Sequence, residues 1–197
     1  TEYLLKFNKK QYSISETQKF GHVTYFYNGN RKDKFSQQVE KYVEVKSNDA
    51  PFDNNPEMKA HEITKILKEE LNKNEFDCYK VNYPNGAMIG HTGNFGAVVK
   101  SLQALDGFII EVVDSAIDQT ISVILTADHG NAEEMTYNSG HVKTSHTTNL
   151  VYCTVISNKD IQLKNGSFGL SNIASTVCDL MGIKPSKKFN ESIIKLN

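Results

Sequence analysis

The chain has 197 residues, enough for one sizeable domain with its own core. Apolar residues make up 39% and charged residues 23%, and the formal net charge is -1, a balance that argues against a nucleic-acid or membrane-surface partner. No apolar run has the length of a bilayer span, and the opening Thr-Glu-Tyr-Leu-Leu-Lys-Phe-Asn-Lys-Lys lacks the features of a secretion signal.

In chain order, residues 22–27 (His-Val-Thr-Tyr-Phe-Tyr) read as a strand that turns at Asn28-Gly29-Asn30. Residues 31–56 are charged and contain Pro51, Asn54, Asn55 and Pro56, so mostly loop is expected there, with a short strand near Tyr42–Val45. Met58, Ile63, Ile66, Leu67 and Leu71 follow helical spacing, with Glu57 in the first turn. Residues 77–83 read as a strand stopped by the turn signal Pro84-Asn85-Gly86. From Asn94, the residues Phe95, Val98, Val99, Leu102, Leu105, Ile109, Val112 and Val113 mark a long amphipathic helix.

The most informative run follows: Ile121-Ser-Val-Ile-Leu-Thr-Ala-Asp-His-Gly-Asn131. It begins as a buried strand and ends abruptly in Asp128-His129-Gly130. Asp and His together suit a divalent metal such as Zn or Mn, and the carboxyl end of a strand is where open α/β sheets place their active sites. Residues 132–147 lack an apolar period and read as an active-site loop, 150–156 as another strand, and 173–181 as a helix stopped by Gly182 and Pro185. Strands alternating with helices predict a three-layer α/β/α sandwich with a mainly parallel sheet. Cys78, Cys153 and Cys178 form no Cys-x-x-Cys pair; Cys153 and Cys178 lie in apolar patterns and are expected to be buried thiols in a reducing, cytoplasmic setting.

Three polar stretches adjoin predicted strands: Met88-Ile-Gly-His91 after 77–83, Asp128-His129 after 121–126, and Thr144-Ser-His146 before 150–156. Sheet geometry lets His91, Asp128, His129 and His146 gather at one edge. Singly, each has a plain structural role available, as a capped turn, a helix cap or a loop histidine. Three of the six histidines falling at such junctions make a shared site the stronger reading.

Four stretches, Ser15-Glu-Thr-Gln-Lys-Phe-Gly-His-Val-Thr-Tyr-Phe26, Asn82-Tyr-Pro-Asn-Gly-Ala-Met-Ile-Gly-His-Thr-Gly93, Thr126-Ala-Asp-His-Gly-Asn-Ala-Glu-Glu-Met135 and Thr144-Ser-His-Thr-Thr-Asn149, together resemble the cofactor-independent (2,3-bisphosphoglycerate-independent) phosphoglycerate mutases, from about residue 11 to near Ile194. The resemblance implies an alkaline-phosphatase-like fold and interconversion of 3-phosphoglycerate and 2-phosphoglycerate in glycolysis through a phosphoserine intermediate. It implies two divalent metal ions, usually manganese: one held through His91 and His146, the other through Asp128 and His129. It also implies that Lys19 contacts the transferring phosphate as a catalytic and substrate-binding residue.

Two departures qualify the expectation. The family's aspartate four residues before His91 is Ala87 here, and a methyl group cannot ligate. No serine lies in a context resembling the family's nucleophile, and the chain begins at Thr1 rather than Met. Residues 1–197 are therefore expected to be the C-terminal segment of the metal-binding domain, incomplete at its N-terminus, without the phosphotransferase domain. By itself such a chain is expected to be inactive, with metal sites empty or partly filled. Its expected partners are the phosphoglycerate substrate and the missing N-terminal segment of its own enzyme, with neither nucleic acid nor membrane. Rival readings are a non-catalytic remnant or interaction module, and a metal-dependent hydrolase of the same superfamily.

Overall fold

The computed structural model describes residues 1–197. Its elements are α1 (Glu2–Leu5), β1 (Gln11–Glu16), α2 (Thr17–Val23), β2 (Glu40–Val45), α3 (Ala60–Lys73), β3 (Cys78–Asn82), α4 (Asn85–Gly90), α5 (Phe95–Asp118), β4 (Val123–Thr126), β5 (Cys153–Ile156), β6 (Ile161–Leu163), α6 (Ile173–Leu180) and β7 (Ile194–Leu196). No helix is long and apolar enough to cross a membrane.

The organising strand is β1. It runs parallel to β2 on one side and β3 on the other, with Ile14 opposite Val43 and Val81, and all six of its residues are buried. Strand alternation sends Tyr12 and Ile14 to one face and Gln11, Ser13 and Ser15 to the other. On the first face Tyr12 and Ile14 pack with Val45, with Ile63, Leu67 and Leu71 of α3, and with Ala116 of α5. The i, i+4 spacing of the α3 residues makes this apolar stripe. On the second face Cys78 of β3 packs with Leu4 of α1, Cys178 of α6 and Ile183. The sheet thus has helices on both sides, an α/β arrangement in three layers.

Helix α5 begins where the sequence suggests, because the Asn94 side chain accepts from the Ala97 N–H at 3.1 Å and caps the first turn. Helix α6 ends before Gly182, whose φ of +67° a side chain would resist.

The structure departs from the sequence expectations in five places, the first being β4, expected to be a buried strand but with Leu125 and Thr126 exposed. Residues 22–27 are not a strand: His22 and Val23 close α2, and the chain then turns, with Asn28 N–H donating to the Thr24 carbonyl at 3.0 Å. Their β-branched and aromatic character is overridden by tertiary context, since β1 occupies the sheet position just before them. Pro84-Asn85-Gly86 does end β3, but it also starts a helix, with Pro84 at the N-cap of α4. Parallel pairing is confined to the β2–β1–β3 sheet; β4 pairs antiparallel with β5, and β6 with β7. Cys153 is exposed at the end of β5, whereas Cys178 is buried, and all three cysteines are free thiols.

Leu67 is 1% exposed in the main core, while Ile110 on α5 is 54% exposed. Leu67→Ala should lower unfolding free energy by about 2–5 kcal/mol through lost burial and a residual cavity. Ile110→Ala should change it by less than about 0.5 kcal/mol. Urea denaturation followed by circular dichroism measures both.

Candidate metal centre

Three segments bring the histidines together. His91 follows the last residue of α4, Asp128 and His129 follow β4, and His146 lies in the long segment between β4 and β5. The His129 and His146 rings stack with centroids 3.6 Å apart and planes 22° from parallel. His91 Nε2 and His146 Nε2 face each other at 3.2 Å. His129 Nε2 lies 3.5 Å from Asp128 Oδ1.

Hydrogen bonds decide which nitrogens are free to ligate. His91 Nδ1 lies 2.6 Å from the Thr144 carbonyl oxygen. A carbonyl only accepts, so Nδ1 carries the proton and Nε2 presents its lone pair. In the same way His129 Nδ1 donates to the Gly130 carbonyl at 3.2 Å. Its Nε2 is buried and has no hydrogen-bond partner, the unmet acceptor that a cation would satisfy.

Lys19 and His22 share this region. Burial pushes the His22 imidazole down, Lys19, His129 and His146 push the same way, and Asp128 opposes them. His146 is likewise pushed down by burial, then by His129, His91 and Lys19, with Asp128 again opposing. Lys19 is only 8% exposed and takes part in none of the salt bridges. A buried ammonium without a carboxylate partner favours an anion nearby.

The converging loops interlock through close approaches. Gly130 packs beneath Thr147 Oγ1 and Glu133 Oε1, and Gly90, just before His91, lies against Asn131 Oδ1; a Cβ at either glycine would overlap these oxygens. The Thr147 N–H donates to the Gly130 carbonyl at 2.9 Å, and the Lys143 N–H to that of Met135 at 2.8 Å. Met135 anchors the loop in a core with Ile89, Ala97 and Val98.

The donors fit divalent ions as two pairs. Two nitrogens each about 2.0–2.1 Å from one ion in tetrahedral geometry lie about 3.3 Å apart, close to the 3.2 Å between His91 and His146. Neither pair is a complete ligand set, and no three His, Cys, Asp or Glu side chains are arranged to hold an ion. Ala87 lies one helical turn before His91, with the His91 N–H donating to its carbonyl at 3.0 Å, so residue 87 is where a carboxylate would complete the first pair. A polar cleft of about 500 Å³ lined by Thr17, Gln18, Glu44 and Lys46, among others, contains none of the histidines and mixes charges of both signs.

Sequence reasoning assigned no role to His22 or Glu133. His22 follows Lys19 by three residues on α2, a spacing that puts both on one helix face. Glu133 lies in a polar loop and carries no such signal.

A family model described as the Metalloenzyme superfamily matches residues 1–185. A probable 2,3-bisphosphoglycerate-independent phosphoglycerate mutase of Leptospira interrogans is 42% identical over 209 residues, covering 98% of this chain and 38% of that protein. A 2,3-bisphosphoglycerate-independent phosphoglycerate mutase of Clostridium botulinum is 37% identical over 196 residues, with the same coverage of 98% and 38%. Among solved structures, Leishmania mexicana phosphoglycerate mutase at low cobalt concentration superposes with a TM-score of 0.93 at 31% identity, covering 100% of this chain and 39% of that one. The chain therefore spans about two fifths of the length of these relatives. With residues 1–185 matched, the chain belongs to the Metalloenzyme superfamily.

Proposed function

We propose that this chain forms part of the metal-binding domain of a cofactor-independent phosphoglycerate mutase that interconverts 3-phosphoglycerate and 2-phosphoglycerate in glycolysis through a phosphoserine intermediate. The observation that carries the reading is the meeting of His91, His129 and His146, beside Asp128, in one cluster. On this reading residues 1–197 are the C-terminal segment of that domain. The serine nucleophile, the remaining metal ligands and the domain that grips the glycerate then belong to other parts of the enzyme. The three free thiols accord with a cytoplasmic setting.

His91 and His146 would hold one divalent ion, and Asp128 and His129 the other, with manganese the ion the resemblance favours. When bound, such ions neutralise charge on the attacking and leaving oxygens of phosphoryl transfer and lower the pKa of a serine hydroxyl. The chain's own residues do the rest. Neutral imidazoles supply ligand nitrogens without adding negative charge beside a phosphate. Lys19 directs its charge to the transferring phosphoryl group. The Thr144 and Gly130 carbonyls fix the tautomers of His91 and His129.

One observation favours a second reading, that of a catalytically idle module: Ala87 provides no carboxylate. An enolase-coupled assay of the full-length enzyme separates the two. The mutase reading predicts turnover that Ala87→Asp raises and His129→Ala abolishes. Full activity in His129→Ala would contradict it, as would no activity either with Ala87 in place or in the Ala87→Asp variant.

The pH dependence has a definite sign. His146 is pushed below the ordinary 6.5, so between its folded pKa and 6.5 the unfolded chain binds the proton and the folded chain does not. Stability should therefore fall as pH drops below about 6.5, and manganese binding should weaken with it as the ring protonates. Thermal melts with and without manganese across this range check the prediction; stability rising on acidification would contradict it.

A further inference from the structure

Outside the histidines, one side chain joins both loops that carry His129 and His146. Glu133 Oε2 accepts from the Asn131 N–H at 2.6 Å, two residues after His129. Its Oε1 accepts from the Thr147 hydroxyl, directly after His146, and from Asn149 Nδ2 at 3.0 Å. Three donors from two loops thus converge on one carboxylate. Gly130 has no side chain to obstruct them, since a Cβ there would overlap Glu133 Oε1. Next door, Glu134 accepts from Lys143 Nζ at 2.7 Å and from Asn149 Nδ2 at 2.9 Å, but neither of its contacts reaches the His129 side of the loop.

We propose that Glu133 is the positioning residue of the site, a clasp that sets the spacing of His129 and His146 without itself ligating or touching substrate. Its oxygens are occupied by loop donors and so are not free for a metal. Hydrogen bonds to an ionised carboxylate are about twice as strong as neutral ones, which suits a clasp on an otherwise irregular segment. Burial alone would raise the Glu133 carboxyl, but Thr147, backbone groups and Asn149 outweigh it and hold its pKa at about 2, so the clasp stays charged at neutral pH. Its value to catalysis rests on the metal reading above; the spacing of the rings does not.

The test reads ring spacing directly. In the metal-free chain at pH 7.5, the 3.6 Å stacking predicts a proton NOE between the His129 and His146 rings. Glu133→Ala should lose that cross-peak while amide shifts of β1 and β3 stay in place. Glu133→Gln, whose single amide oxygen can still accept from Thr147 and Asn149 but whose NH2 then faces the Asn131 N–H, should weaken it without abolishing it. Lys143→Ala, which breaks the ion pair with Glu134 and the contact over the Tyr137 ring but no bond to Glu133, should leave it unchanged. Cobalt titration by visible absorption should show Glu133→Ala binding about tenfold more weakly, the usual scale for partners that orient ligands. If Glu133→Ala does not fold, Thr147→Val removes one donor and should weaken the same cross-peak. A full cross-peak in Glu133→Ala would overturn the proposal. So would a collapse of the sheet resonances in both variants, because the residue would then serve the fold as a whole. Neither the NOE nor the titration requires mutase activity, so the clasp can fail while the functional reading stands, or the reverse.

Discussion

Asp128, His129 and His146 lie on an irregular stretch between two short strands, and hydrogen bonds rather than a ladder hold that stretch in shape. The Thr147 N–H to Gly130 carbonyl bond, the Glu133 contacts and the burial of Met135 against Ile89, Ala97 and Val98 fix it from three directions. Each constraint alone is modest, about 1 kcal/mol net for an ordinary hydrogen bond. Together they place three imidazoles in contact. Burial, then the neighbouring His129 and His91, push the His146 imidazole toward its neutral form.

The electrostatic character of the site follows from what surrounds those rings. Asp128 is the only carboxylate paired with the cluster histidines, and Ala87 occupies the position where a second could stand. Lys19 adds a buried positive charge at the start of α2, just after the central strand. Neutral nitrogens, one carboxylate and a lysine form a poor site for a lone cation but a good one for cations accompanied by an anionic group.

Much of the fold is legible in the sequence because burial is written as period. The stripe of α3 follows from its spacing and the Gly182 stop of α6 from backbone sterics, whereas of the stripe expected on α5 only Val98 is buried and Phe95, Val99 and Leu102 are exposed. The central strand β1 is not legible in that way. Its second face is Gln11, Ser13 and Ser15, polar side chains that are nonetheless buried, so only Tyr12 and Ile14 mark it. Residues 22–27 mislead for the opposite reason: they have strand composition but lie in the end of α2 and the turn after it. Within the site, the histidines announce themselves because few other roles place them beside strand ends. His22 and Glu133 act through partners distant in sequence, and local pattern holds no trace of such partners. Cys153 shows the same limit, since the apolar run around it belongs to a strand whose end is exposed.

The account stands on His91 and His146 sharing one ion. The most direct measurement is an anomalous difference map from a crystal of the full-length enzyme equilibrated with saturating manganese. The account predicts a peak within coordination distance of both His91 Nε2 and His146 Nε2, with any second peak beside Asp128 and His129. Manganese bound only at surface carboxylates, with the two nitrogens still in direct contact, would contradict it.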